Sequence, residues 1–293
     1  MKAAPHLLII THRHDVFEGK ACYLEEISHF WREQGMKVTV QRGPEPKIDA
    51  DVAIVHVDAT YVPQEYIDYA KTYPVTINAG VSNIAKRRIS RQQVHPGDGY
   101  QGPVIVKTNG NYGGHSDAGL RKNKGGLART LTQLRQRLPW YCRSQVVNYP
   151  IYSSPQEVPK LVWMNPDLLV ERLMVERQDE SYILRIWVFL GDREYHSIVY
   201  GHHPIVKWEN VDRRERGTEA PADLHRLRKE LNFEFGKFDY AIVDGKAVLY
   251  DTNTTPTWCT GGEMLTARAR ILQEGIHSFL ARRSGRDAGQ VVA

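Results

Sequence analysis

Two stretches of the chain gather the side chains that could do chemistry. In the first, VIVKTNGNYGGHSD (Val104 to Asp117), a β-branched run ends on Lys107 and breaks into glycine, asparagine and small polar residues. Gly110, Gly113 and Gly114 permit a sharp turn whose amide N–H groups converge on one anion, and Lys107 adds charge. A hairpin turn with an incidental lysine reads the same on this stretch alone. In the second, two alternating apolar runs flank Asp244-Gly245, a strong hairpin signal. A tight hairpin lays its arms side by side, so Asp239 comes to the same end of the ladder as Asp251 and Asn253. Two carboxylates and an amide oxygen there make a hard-oxygen site of the kind magnesium uses, water and phosphate oxygens completing the octahedron. Loop capping by Asp and Asn is the plain alternative.

The elements that must position these residues follow from periodicity. HLLIITHR, MKVTVQR, ADVAIVHVDA and PVTINAG read as strands, with helices over residues 19–34 and in PQEYIDYAKTY, which opens on a proline. Together they form a small open α/β sheet, mostly parallel, ending near Gly80. VSNIAKRRISRQQV links it to a unit holding the glycine-rich loop, an amphipathic helix over residues 126–138 and the strand DLLVERL. A third unit carries YILRIWVFLGD and EYHSIVYG as strands, a basic helix PADLHRLRKEL, the Asp244-Gly245 hairpin and a last helix over residues 262–282. The tail RRSGRDAGQVVA reads as frayed.

Composition narrows the function classes. The 293 residues carry 39 basic and 34 acidic side chains, a net charge of +5 that suits a polyanionic ligand such as a nucleotide and is otherwise explained by solvated helix faces. Zinc-finger spacing and RNA-binding aromatic motifs are missing, which disfavours nucleic acid. Cys22, Cys142 and Cys259 are odd in number and far apart, which fits neither a disulfide framework nor a structural zinc site and points to a reducing cytoplasm. The N-terminal apolar run is too short for a secretory signal, and no stretch is long enough to span a bilayer, so no membrane association is expected. His12, His14 and His202 lack the helical i, i+4 pattern of a zinc helix. Trp187 and Phe189 stand at strand period and read as core.

The order Lys86, Lys107, glycine-rich loop, LLVERLM, LRIWVFLGD, FDYAI and YDTNTTP resembles the ATP-grasp superfamily of carboxylate-amine ligases over nearly the whole chain. A P-loop GxxxxGK[ST] and the kinase HRD and DFG motifs are lacking. The resemblance implies an α/β (α+β) ATP-grasp fold: a pre-ATP-grasp α/β domain over residues 1–83, then α+β subdomains over 84–169 and 170–293 that clamp ATP. It implies that Lys86 and Lys107 contact the α- and β-phosphates, and that Asn109, Gly110, Gly113, Gly114, His115 and Ser116 belong to a lid over the β- and γ-phosphates. Glu171 would accept from the adenine amino group and the backbone around Leu173 would read the ring edge. Glu180 is the ribose candidate, with Asp179 and Glu176 as alternatives. Arg185 would act with Lys107 at the transferred phosphate, and Lys207 would touch the γ-phosphate or substrate, unless it is a solvated strand lysine. Asp239, Asp251 and Asn253 match the magnesium ligands, with manganese as a substitute; Asp251 stands where the family most often has Glu.

The activity so implied is ATP-dependent joining of a small-molecule or peptide carboxylate to an amine (or thiol) through an acyl phosphate, with release of ADP and phosphate. A small-molecule kinase on the same fold and a non-catalytic nucleotide-binding regulator are the alternatives. A homodimer is compatible with it. The substrates depend on the first domain and on the loops around THRHD and GHHPIVKWENVDRRERG.

Overall fold

The computed structural model describes residues 4–121, 138–146, 148–258 and 263–282. The helix expected over 126–138 lies outside them save its last residue, as do Cys259 and the tail from residue 283. Among the described residues no helix is long and apolar enough to cross a membrane.

The first sheet is parallel, in the order β2 (Lys37–Arg42), β1 (His6–Thr11), β3 (Val52–Val55), β4 (Val75–Ile77). Its central strands β1 and β3 are apolar on both faces because both are covered. Leu7 and Ile9 pack with α1 (Tyr23–Glu33), and Leu8 and Ile10 with α2 (Gln64–Ala70). Cys22 opens α1, its Sγ accepting from the Glu25 amide at 3.3 Å.

The second sheet is antiparallel, β6 (Ile151–Tyr152), β5 (Val104–Thr108), β7 (Leu168–Arg172), preceded by the short α3 (Lys86–Ile89). After β5 the glycine-rich turn leads into α4 (His115–Arg121), and α5 (Lys160–Met164) precedes β7. The expected break at 169/170 falls inside β7, since pairing with β5 holds that strand to Arg172.

The third sheet runs β11 (Val211–Arg216), β10 (Arg193–Gly201), β9 (Ser181–Leu190), β12 (Phe235–Val243), β13 (Lys246–Asn253), with β8 (Glu176–Gln178) also on β9. Strand alternation divides it into two faces. Trp187, Phe189, Phe238 and Tyr240 pack with α6 (Ala222–Glu230) on one, and Ile186, Val188 and Leu190 with α7 (Glu263–Leu272) on the other. That second cluster also contains Leu7, Ile9, Tyr23, Trp31, Ile54 and Ile77, so the segment expected as a separate domain over 1–83 shares a core with the third sheet. The side chain of Asn78 seals the joint, donating to the Phe235 carbonyl at 2.8 Å and accepting from the Phe235 amide at 3.0 Å.

Candidate active site

A cleft with a cavity volume of about 190 Å³ opens between the second and third sheets. It is lined by the apolar Ile105, Leu173, Met174, Val175, Leu184 and Val248, and by Lys86, Lys107, Glu171, Asp239 and Asp251. The lining therefore combines apolar side chains with a group of lysines and carboxylates.

The charged group is built from strand ends. Asp244 (φ 52°) and Gly245 (φ 73°) close the hairpin in the left-handed conformation that a two-residue turn requires, a register that alone would set Asp239 against Tyr250; a bulge shifts it, so that Asp239 of β12 faces Asp251 of β13 across the ladder. Beside this pair the register shifts and Tyr250 is the extra residue. Tyr250 and Asp251 therefore both line the cleft, and the Tyr250 hydroxyl donates to the Met174 carbonyl at 2.6 Å.

Asp239 is partly buried: Oδ2 receives Lys237 Nζ at 2.7 Å, while Oδ1 is buried with no hydrogen-bond partner among the described residues. Burial pushes its carboxyl above the usual range against the pull of Lys237. Lys86, 2% exposed, sets Nζ 3.1 Å from Asp251 Oδ1 and 3.2 Å from the Gly110 carbonyl. Burial works against the Lys86 ammonium, yet Asp251, Tyr149 and Glu171 outweigh it and hold its pKa above the ordinary value. Lys107 Nζ pairs with Glu171 Oε2 at 2.7 Å and lies 5.2 Å from the Tyr250 ring, and Glu171 Oε1 is buried with no hydrogen-bond partner. Asp239 Oδ1 and Glu171 Oε1 are thus two buried acceptors in the cleft lining without a hydrogen-bond partner among the described residues.

Magnesium fits this donor set in part. Asp239 and Asp251 could hold it, but Asn253 Oδ1 accepts from the Thr255 amide at 2.7 Å and lies outside the cleft lining.

Other expected residues are placed elsewhere. Arg185 pairs across the ladder with Tyr240, hence on the face of the sheet opposite Asp239. There it forms a two-pronged ion pair with Glu176, with Nη2 2.6 Å from Oε1 and Nε 2.9 Å from Oε2. Glu176 is thereby taken from the ribose role, and Asp179 and Glu180 occupy the β8–β9 turn outside the cleft lining. Leu173 lines the cleft, but its amide donates to the Pro103 carbonyl at 2.9 Å. Lys207 lines the cleft, Nζ 5.5 Å from the Tyr149 ring.

The glycine-rich loop, 109–116, is not in the cleft lining. It is docked on the first sheet's loops: the Asn111 amide donates to Thr60 Oγ1 at 2.8 Å, and Asp117 accepts from the Thr60 amide at 2.9 Å and from its hydroxyl. Ser116 hydrogen-bonds Asp58, and Asn109 reaches the Tyr61 hydroxyl at 3.3 Å. His115 packs edge-on to Tyr112. Gly113 and Gly114 have φ of +62° and +80°, and a Cβ on Gly114 would meet the Ser144 carbonyl at 2.5 Å.

Lys237 and Tyr250 were not expected at the site. Lys237 was within reach, two residues before Asp239 on the same strand and so on the same face. Tyr250 was not, because a bulge places it.

No protein-family model and no curated protein matches this sequence. Among solved structures, the ATP-grasp ligase PsnB complexed with a minimal precursor superposes over 94% of this chain and 99% of its own, at 9% identity and a TM-score of 0.53. The same ligase with precursor, Mg and ADP gives 94% and 97% coverage, 10% identity and a TM-score of 0.52. D-alanine–D-alanine ligase from Bacillus anthracis covers 98% and 100%, at 11% identity and a TM-score of 0.45.

Proposed function

From the ATP-grasp fold that this chain has, we propose that it is an ATP-dependent ligase joining a small-molecule or peptide carboxylate to an amine through an acyl phosphate. The observation that supports this best is the convergence of Lys86, Lys107, Asp239 and Asp251 in one cleft with apolar side chains. Adenine lies in the cleft, its amino group donating to Glu171 Oε1. Lys86 and Lys107, now paired with Asp251 and Glu171, turn to phosphate oxygens, and Lys207 adds a third cation at the cleft wall. Asp239 and Asp251 hold magnesium, which when bound supplies countercharge to the terminal phosphates.

An unactivated carboxylate is a poor electrophile because its leaving group is oxide. Transfer of the γ-phosphoryl group to it breaks the bond to the β-phosphate and releases ADP. Attack of the amine on the acyl carbon then expels phosphate, and the ammonium proton passes to solvent or a nearby carboxylate. The protein contributes positioning and fixed charge. For the glycine-rich loop to cover the phosphates it must leave Thr60 and Asp58.

The test is an intermediate trap. A substrate pair is first found by screening for phosphate release; the carboxylate, ATP and magnesium without the amine should then yield ADP and, with hydroxylamine, a hydroxamate. AMP and pyrophosphate would mean adenylation, and a stable phosphorylated alcohol would mean a kinase. Either result overturns the proposal.

A further inference from the structure

On the face of the third sheet turned away from Asp239 and Asp251, a second group of ligating side chains converges. Glu194 of β10, Glu219 in the segment between β11 and α6, and His225 of α6 bring one ligand atom each within 4.8 Å of one another. His225 Nε2 is buried without a hydrogen-bond partner, and the nearest Glu219 oxygen is 3.8 Å away. Glu194 is fixed from behind: Oε2 accepts from the indole Nε1 of Trp187 at 2.9 Å, which leaves Oε1 for another partner. That oxygen is 3.1 Å from Nε2 of His196, whose side chain is 10% exposed. The Trp187 ring stacks on His196 (5.9 Å between centroids) and packs against His225 (4.6 Å), so the indole holds both imidazoles.

A buried imidazole nitrogen, His225 Nε2, without a hydrogen-bond partner among the described residues and beside two carboxylates forms a donor set that lacks its acceptor of electron pairs. Arg228, 5.6 Å from the Trp187 ring, does not fill that place, because its guanidinium donates to the carbonyls of Gly191, Phe233 and Glu234. One nitrogen and two carboxylate oxygens suit zinc, which takes such ligands at about 2.0–2.2 Å with water in the fourth position. Magnesium, an oxygen-seeking ion, does not compete for imidazole. Closing from the present spacing asks movement mainly of Glu219, whose side chain is 81% exposed on a connecting segment.

We propose that Glu194, Glu219 and His225 form a zinc-type metal site, distinct from the nucleotide cleft, in which His196 orients Glu194 from outside the coordination sphere. The bound ion ties α6 and the segment before it to β10. Outer partners of this kind typically change metal affinity by about 10–100-fold.

The experiment titrates the full-length protein, stripped with a chelator, with Zn²⁺ and separately with Co²⁺. One equivalent should bind, the cobalt form should show the visible bands of a four- or five-coordinate ion, and zinc X-ray absorption should report one imidazole with oxygen ligands. His225→Gln should lose at least tenfold in affinity and His196→Ala less, while both retain the wild type's response to MgATP, which also verifies that they fold. No stoichiometric uptake, unchanged zinc affinity in His225→Gln, or a spectrum with several imidazoles at the stoichiometric ion would overturn the proposal. The last two would assign the metal to other histidines. Because the wild-type spectrum alone counts imidazoles, failure of a variant to fold does not remove the test.

Discussion

Lys107 and Glu171 are nearly buried, 9% and 3% exposed at their side chains, and each is the other's countercharge. Removing only the lysine leaves an uncompensated carboxylate under the cleft, a change that typically costs about 3–5 kcal/mol. Lys107→Met should therefore lower stability by about 3 kcal/mol in urea unfolding, and Lys107→Met with Glu171→Leu should recover most of it. Neither variant should bind MgATP, as read by calorimetry. Recovery of stability without recovery of binding is the expected signature of a pair that serves the ligand; a double variant that binds ATP normally would make it structural only. Both were singled out in the sequence, Lys107 as the charge that ends an apolar strand run beside the glycine-rich loop and Glu171 through the resemblance carried by LLVERLM. The place of Arg185 was not legible. Its strand is apolar on nearly every position, so the sequence does not name the face; the pairing with β12 does, setting Arg185 opposite Tyr240 and Asp239 opposite Ile186.

At the scale of elements, two glycine turns position the site and differ in what a side chain would meet. A Cβ on Gly245 would find nothing within 4 Å, so Gly245→Ala bears only the left-handed backbone penalty of roughly 1 kcal/mol. Gly114→Ala adds to a similar penalty a 2.5 Å clash with the Ser144 carbonyl, an atom that cannot swing aside. Urea midpoints should fall slightly for the first variant, and tryptic cleavage after Arg121 should accelerate for the second as the loop leaves its seat. Equal behaviour of the two would contradict the packing described. The hairpin was legible, and Asp244-Gly245 fixes which residues oppose one another as far as Tyr240 and Leu249. Its bulge was not, because no residue type in LYDTN demands one, and with it Tyr250 was missed. The docking of the glycine-rich loop on Thr60 was also beyond the sequence, being a contact between segments 57 residues apart.

For the whole molecule, the shared core decides which parts move together. The first sheet, α1, α7 and the inner face of the third sheet form one apolar cluster, whereas the second sheet has its own around Val104, Val106, Leu168 and Val170. His56 lies at the joint of the first body, packed against Phe17 and Phe235. Burial pushes its imidazole down to about 3 from the ordinary 6.5. Below pH 6.5 the unfolded chain takes a proton that the folded chain refuses, so stability is lost as pH falls from 6.5 toward 3, at roughly 1.4 kcal/mol per pH unit. His56→Leu should lose less stability than wild type between about pH 6.5 and pH 5, by about 2 kcal/mol. On the proposed function, ATP would bridge the two bodies across the cleft, since Lys107 and Glu171 belong to the second sheet while Asp239 and Asp251 belong to the third. A ligand that binds the assembled cleft stabilises it by about 2.7 kcal/mol at a hundred times its dissociation constant. That stabilisation should be felt most by the body whose opening breaks the site alone, namely the smaller second sheet with its separate core. In hydrogen exchange, saturating MgATP should slow the amides of β5 and β7 by about tenfold or more, while β1 and β3, buried in the common core, change little. Uniform slowing across all three sheets would show that the chain opens as one unit, and slowing confined to β1 and β3 would place the nucleotide at the first sheet instead of the cleft.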